Sequence, residues 1–77
     1  MLKEQNICLI VTKNIKKYRK LKHMSQRQLA IKSGYSYSYI KKLENEKEYK
    51  TFSLQTIDNI SKTLQIDIKC FFENSDI

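Results

Sequence analysis

A single glycine in 77 residues leaves a chain few places to reverse direction cheaply, so the position of Gly34 constrains the fold more than any other residue. It sits inside residues 25–44, which read Ser-Gln-Arg-Gln-Leu-Ala-Ile-Lys-Ser-Gly-Tyr-Ser-Tyr-Ser-Tyr-Ile-Lys-Lys-Leu-Glu. Ser25 and Gln28 have capping-box spacing, in which a hydroxyl and an amide side chain each satisfy a free backbone N–H at a helix start. Leu29 and Ala30 supply that helix's inner stripe, and Gly34 stops it, because glycine takes positive φ without steric cost. Tyr35 anchors the turn, Ser36 caps a second helix, and Ile40 and Leu43, three apart, give that helix its inward face. Outward it presents Tyr37, Ser38, Lys41, Lys42 and Asn45, with no acid before Glu44. Hydrogen-bonding and positive groups of this kind suit the edge of a DNA groove.

The pattern resembles the phage repressor and Cro type (Xre-like) of helix-turn-helix, whose signature runs roughly Ser/Thr-Gln, Leu-Ala, Gly, Ser/Thr, Ile/Val, then Ile/Leu-Glu. Ser25, Gln26, Leu29, Ala30, Gly34, Ser38, Ile40, Leu43 and Glu44 match it in register. The resemblance implies an all-α, compact five-helix bundle of the lambda-repressor-like DNA-binding type. It implies that the helix beginning at Tyr37 enters the major groove while the helix beginning at Gln26 crosses the backbone. Carried over by position, Tyr37, Ser38, Tyr39 and Lys42 are the expected base contacts. Lysine can donate to guanine N7 and O6, serine can donate or accept, and a tyrosine ring can meet a thymine methyl. Gln26, Arg27, Lys41, Asn45 and Lys47 are the expected phosphate contacts, aided by backbone N–H groups at the Gln26 helix start. Arg19 and Glu44 match positions that form a partly buried ion pair fixing the pose of the second helix. Glu46 departs from the pattern, which usually has glycine after Asn45, so helix exit is expected one or two residues late.

The remaining segments read as further helices. From Asn6, the residues Ile7, Val11, Ile15 and Tyr18 recur at helical spacing, with Leu21 continuing the face and Lys13, Lys16, Lys17 and Lys20 elsewhere. This helix should end near Lys22, with Met24 as a hydrophobic staple; the resemblance, whose pattern often has glycine at the place of His23, implies that His23 ends the helix in the left-handed region, which histidine tolerates better than most residues. Residues 45–52 are charged and aperiodic, a surface loop. Ser53 can cap a helix with Leu54, Ile57, Ile60 and Leu64 on its apolar face, and Asp67 a short one holding Ile68, Phe71 and Phe72. Residues 1–5 and 73–77 are polar and expected to be loose.

Formal charge is +7, and it is unevenly placed: residues 1–52 carry 13 basic and 4 acidic side chains, residues 53–77 carry 2 and 4. A basic half to meet phosphates and a mildly acidic half to meet protein follow from that order. Ile66, Ile68 and Phe72 are the expected homodimer surface, and a two-fold axis would set half-sites roughly 34 to 36 Å apart on double-stranded DNA. At this length the chain reads as one domain, with a helix-turn-helix at 25–45 and dimerisation toward 64–77.

Cys8 and Cys70 read as buried free thiols, since the chain shows no secretory leader. With His23 alone beside them, a metal site lacks ligands. No cofactor or small-molecule ligand is called for, and no apolar run is long enough for a membrane span. A cytoplasmic, non-enzymatic transcriptional regulator is the expectation. The Ile-Lys-Lys-Tyr-Arg and Ser-Tyr-Ile segments add a likeness to the small controller proteins of restriction-modification systems. The alternative is an antitoxin or other protein-interaction module on the same fold, which would need a segment able to cover a partner. An enzyme finds no support, as no nucleophile and carboxylate are arranged around His23 by a recognisable motif.

Overall fold

Each helix begins where a short polar side chain can take over orphan amides. The computed structural model describes residues 6–48 and 50–74; of the ends expected to be loose, 1–5 and 73–77, residues 1–5 and 75–77 lie outside the described residues, while the Glu73 carbonyl is held by Asn14. Helix α1 spans Ile7–Leu21, α2 Gln26–Ser33, α3 Tyr37–Glu44 and α4 Leu54–Leu64, and a 3-10 helix covers Ile68–Phe72. The Asn6 Oδ1 accepts from the Cys8 and Leu9 amides at 3.0 and 3.3 Å. Ser25, Ser36, Ser53 and Asp67 cap the next four elements through their side-chain oxygens. The fifth expected helix is therefore present in 3-10 form, a geometry that short terminal segments commonly take.

The ends of α1, α2 and α4 are closed by left-handed residues. Gly34 has φ +83°, and His23 and Gln65 take φ +59° and +58° without glycine's freedom. At all three corners the following amide reaches back to a carbonyl five residues earlier: Met24 to Arg19, Tyr35 to Ala30 and Ile66 to Ser61, at 3.0–3.1 Å. These bonds satisfy carbonyls that would otherwise be orphaned at the helix end.

The core comprises Val11, Ile15, Leu29, Ala30, Ile40, Leu43, Ile57, Ile60, Leu64 and Phe71, with Tyr18, Met24, Tyr35, Tyr39, Phe52, Ile66 and Ile68 packed around it. Burying each large aliphatic contributes about 1.5–3 kcal/mol against chain entropy. Three apolar residues expected inside lie at the rim instead: Ile7, Leu21 and Leu54 are 49, 59 and 76% exposed. On α1 the buried stripe runs through Val11, Thr12, Ile15 and Arg19, which rotates the helix so that Ile7 and Leu21 fall at its edge. On α4 the small Thr56 turns inward, its hydroxyl 2.9 Å from Ser53 Oγ, and Leu54 is left outside.

Two buried polar residues on α1 tie the bundle at opposite ends. Asn14 donates through Nδ2 to the Phe71 and Glu73 carbonyls at 2.8 and 2.9 Å, fastening the 3-10 helix. Arg19, one and a half turns later, reaches α3. The Tyr18 ring lies 6.3 Å from Phe71. Burial, then the neighbouring Cys70 and Glu73, push its phenol above the usual tyrosine range. Cys8 and Cys70 are free as expected but only half-buried.

Candidate nucleic-acid interface

The α2–α3 corner begins with reciprocal bonds between Ser25 and Gln28: Ser25 Oγ accepts from the Gln28 amide at 3.0 Å, and Gln28 Oε1 from the Ser25 amide at 2.8 Å. Gly34 then turns the chain, and Ser36 Oγ takes the Tyr39 amide at 3.0 Å to start α3. Ile40 and Leu43 go inward, leaving Ser38, Lys41, Lys42 and Asn45 exposed. Ser38 and Lys42, four apart, share one outer face. Beside them runs an open groove lined by Lys16, Gln26, Lys41, Lys42 and Asn45 together with the acids Glu44 and Glu48.

The pose of α3 is fixed by a buried bidentate pair. Arg19 Nε donates to Glu44 Oε2 at 2.7 Å and Nη2 to Oε1 at 3.0 Å, while Nη1 takes the Met24 carbonyl at 2.7 Å. Both side chains are almost wholly shielded, at 8 and 2% exposure. One Arg fork thus joins α1, the His23 corner and the recognition helix, satisfying both charges while they are out of water.

Three of the expected DNA contacts have partners within the protein. Gln26 donates through Nε2 to Glu44 Oε1 at 3.0 Å, so its side chain joins the ion-pair network while the second N–H of its amide is left over. Tyr39 is half-buried against α4. Its ring packs 4.9 Å from Tyr35, its hydroxyl lies 3.5 Å from Thr56 Oγ1, and it serves the α3–α4 contact. Tyr37 is half-buried, with the Arg27 guanidinium 4.1 Å and the Lys41 ammonium 5.1 Å from its ring centroid.

The exit from α3 also differs from expectation. The helix stops at Glu44, and Asn45 leaves it extended at φ −80°, ψ 108°, so Glu46 needs no left-handed conformation. Asn45 Oδ1 accepts from the Lys47 amide at 3.0 Å. Lys50, unremarked in the sequence, is buried and donates to the Asn45 and Glu48 carbonyls at 2.6 and 2.8 Å. A lysine in a charged run reads as solvated, and only the folded loop reveals this role. Lys47 stays exposed, and Lys42 has a loose surface partner in Glu48 at 4.0 Å. Of the expected dimer residues, Ile66 and Ile68 pack partly on the core, whereas Phe72 is 39% exposed.

Among the described residues no cluster of His, Cys, Asp or Glu could hold a metal, and no helix is long and apolar enough to cross a membrane.

A glycine corner between two short helices, with the second locked by a buried ion pair and presenting polar and positive groups outward, defines a helix-turn-helix DNA-binding domain. Residues 15–69 match the family described as Helix-turn-helix (HTH_3), and the chain belongs to it. The protein is accordingly a DNA-binding transcriptional regulator of a non-enzymatic family. No curated protein matches it by sequence, but solved structures do. The restriction-modification controller protein C.AhdI from Aeromonas hydrophila is 26% identical, covering 84% of this chain and 96% of that one, with a TM-score of 0.75. SinR, a master regulator for biofilm formation crystallised with DNA, is 28% identical over 82% of this chain and 98% of that one, with a TM-score of 0.72. The clp gene regulator ClgR from C. glutamicum shares the fold at a TM-score of 0.78 and 20% identity, over 88% of this chain and 86% of that one.

Proposed function

We propose that the protein is an intracellular homodimer that binds a pseudo-palindromic operator, with Ser38 and Lys42 meeting base edges and Arg27, Lys41, Asn45 and Lys47 meeting phosphates. The observation that carries this is the shared outer face of Ser38 and Lys42 on a helix locked by the Arg19–Glu44 pair. Donors carried on the outer face of a fixed helix are what major-groove readout needs. The exposed Phe72 ring, flanked by the half-covered Ile66 and Ile68, supports a self-association surface at the less basic end. Likeness to a restriction-modification controller over nearly all of that protein's length favours a small operon-control role.

Selection of bound duplexes from a random pool tests the reading, since an enriched motif should be inverted-repeat with half-sites roughly one DNA turn apart. Lys42→Ala should then weaken binding at one operator position, whereas Lys47→Ala should weaken it about equally on all sequences. Sedimentation of the wild type against Phe72→Glu checks the dimer: a monomeric wild type would remove it. Recovery of no motif at low ionic strength would remove the operator.

A further inference from the structure

Two cations share one aromatic ring at the edge of α3. The Arg27 guanidinium lies 4.1 Å from the Tyr37 centroid and the Lys41 ammonium 5.1 Å from it. Arg27 comes from the first turn of α2 and Lys41 from one turn past Tyr37 on α3, so the ring bridges the two helices of the corner. Two positive charges gathered at one ring repel each other. No acidic residue is ion-paired to either among the described residues: the ion pairs there are Arg19–Glu44, Lys42–Glu48 and Lys62–Asp58. The ring's negative face offsets part of that repulsion. An anion reached by both side chains would offset the rest.

Tyr37 is also poorly placed as a base reader. It precedes Ser38 by one residue, a step of about 100° around the helix, which turns it toward α2. Its ring is half-buried and covered by the cations. Arginine stacked on an aromatic plane keeps its N–H donors at the rim, directed outward in a fixed fork that fits phosphate oxygens.

We propose that Tyr37 is a positioning residue: its ring holds Arg27 and Lys41 together as a clamp for one DNA phosphate, and its hydroxyl reads no base. This rests on the DNA-binding reading above and assigns the ring a role that reading leaves open. Tyr37→Phe keeps the ring and loses the hydroxyl; Tyr37→Leu keeps bulk and loses the ring.

Both variants of the full chain are titrated against the selected duplex and a random-sequence duplex of equal length, over a salt series. Tyr37→Phe should stay within about twofold of wild type on both duplexes, and Tyr37→Leu should lose about fivefold on both. The leucine variant's slope of log affinity against log salt should fall by about one, because one phosphate contact is given up. A merely structural ring would not move that slope. A loss in Tyr37→Phe confined to the selected duplex would make the hydroxyl a base contact and overturn the clamp; so would a leucine variant matching wild type. In the free wild-type protein, Arg27 side-chain protons should show upfield ring-current shifts that vanish in Tyr37→Leu. Their absence overturns the clamp without any DNA measurement. Failure of the wild type to bind either duplex would instead sink the DNA-binding reading itself.

Discussion

Helix α1 holds the two ends of the molecule by different chemistry. Toward α3 it extends Arg19, which meets Glu44 in a bidentate pair sealed from water. Toward the C-terminal 3-10 helix it extends Asn14, a neutral amide that takes the carbonyls of Phe71 and Glu73. A neutral clasp, when cut, leaves uncharged carbonyls without a donor, of which that of Glu73 is only part-buried. A charged clasp cut on one side strands a bare charge in the core. The end that must present an accurate helix to DNA is therefore held by the less forgiving device, and the end proposed for self-association by the softer one.

The largest expected effect tests the charged clasp. Arg19→Met should cost about 3–5 kcal/mol, because Glu44 stays buried without its partner. Glu44→Leu should cost a similar amount by stranding Arg19. Urea denaturation of Arg19→Met with Glu44→Leu in one chain should recover much of that loss, since an apolar pair can replace a buried ion pair nearly neutrally. If the double variant merely adds the two losses, the stranded-charge account is wrong, and packing of the stems matters more.

Asn14→Ala should cost less, about 1–3 kcal/mol for its buried hydrogen bonds and lost packing. Hydrogen exchange should show amides of the 3-10 helix opening first while those of α2 and α3 keep their protection. Uniform loss of protection across both ends would abolish the contrast between the clasps.

How much of this was readable beforehand follows from the range of each interaction. Ser25, Gln28, Gly34, Ser36 and Ser53 act on backbone groups within a few residues, and such signals survive in the linear sequence. Left-handed His23 follows instead from the repressor likeness, whose pattern often has glycine at that place. Arg19 and Glu44 are 25 residues apart, and only the likeness to repressors suggested pairing them. The intramolecular partners of Gln26, Tyr39 and Lys50 and the exposure of Leu54 are not legible in the sequence, because each answers to a partner or surface that exists only after folding. Gln26 is drawn in by Glu44, Tyr39 by Tyr35 and Thr56, and Lys50 by two loop carbonyls, while Leu54 is displaced by the smaller Thr56. Spacing cannot say which of several polar residues on a helix flank will find a buried acceptor.

The corners at the two ends sharpen the comparison at its smallest scale. Gly34 closes α2 at φ +83°, and a Cβ built there meets no atom within 4 Å. Gly34→Ala should therefore cost only the left-handed strain, about 1 kcal/mol. Gln65 closes α4 at φ +58° already carrying that strain. Gln65→Gly should relieve it and stabilise the fold by about 0.5–1 kcal/mol, net of the added freedom of the unfolded chain. In a domain of this size that is a rise of a few degrees in Tm, roughly 4–8 °C for each kcal/mol. Opposite signs for the two substitutions would show that the corner beside α3 is already relaxed by its glycine while the corner behind α4 still holds strain. If Gln65→Gly also destabilises, the glutamine side chain contributes a contact that outweighs its backbone cost, and the two corners are equivalent.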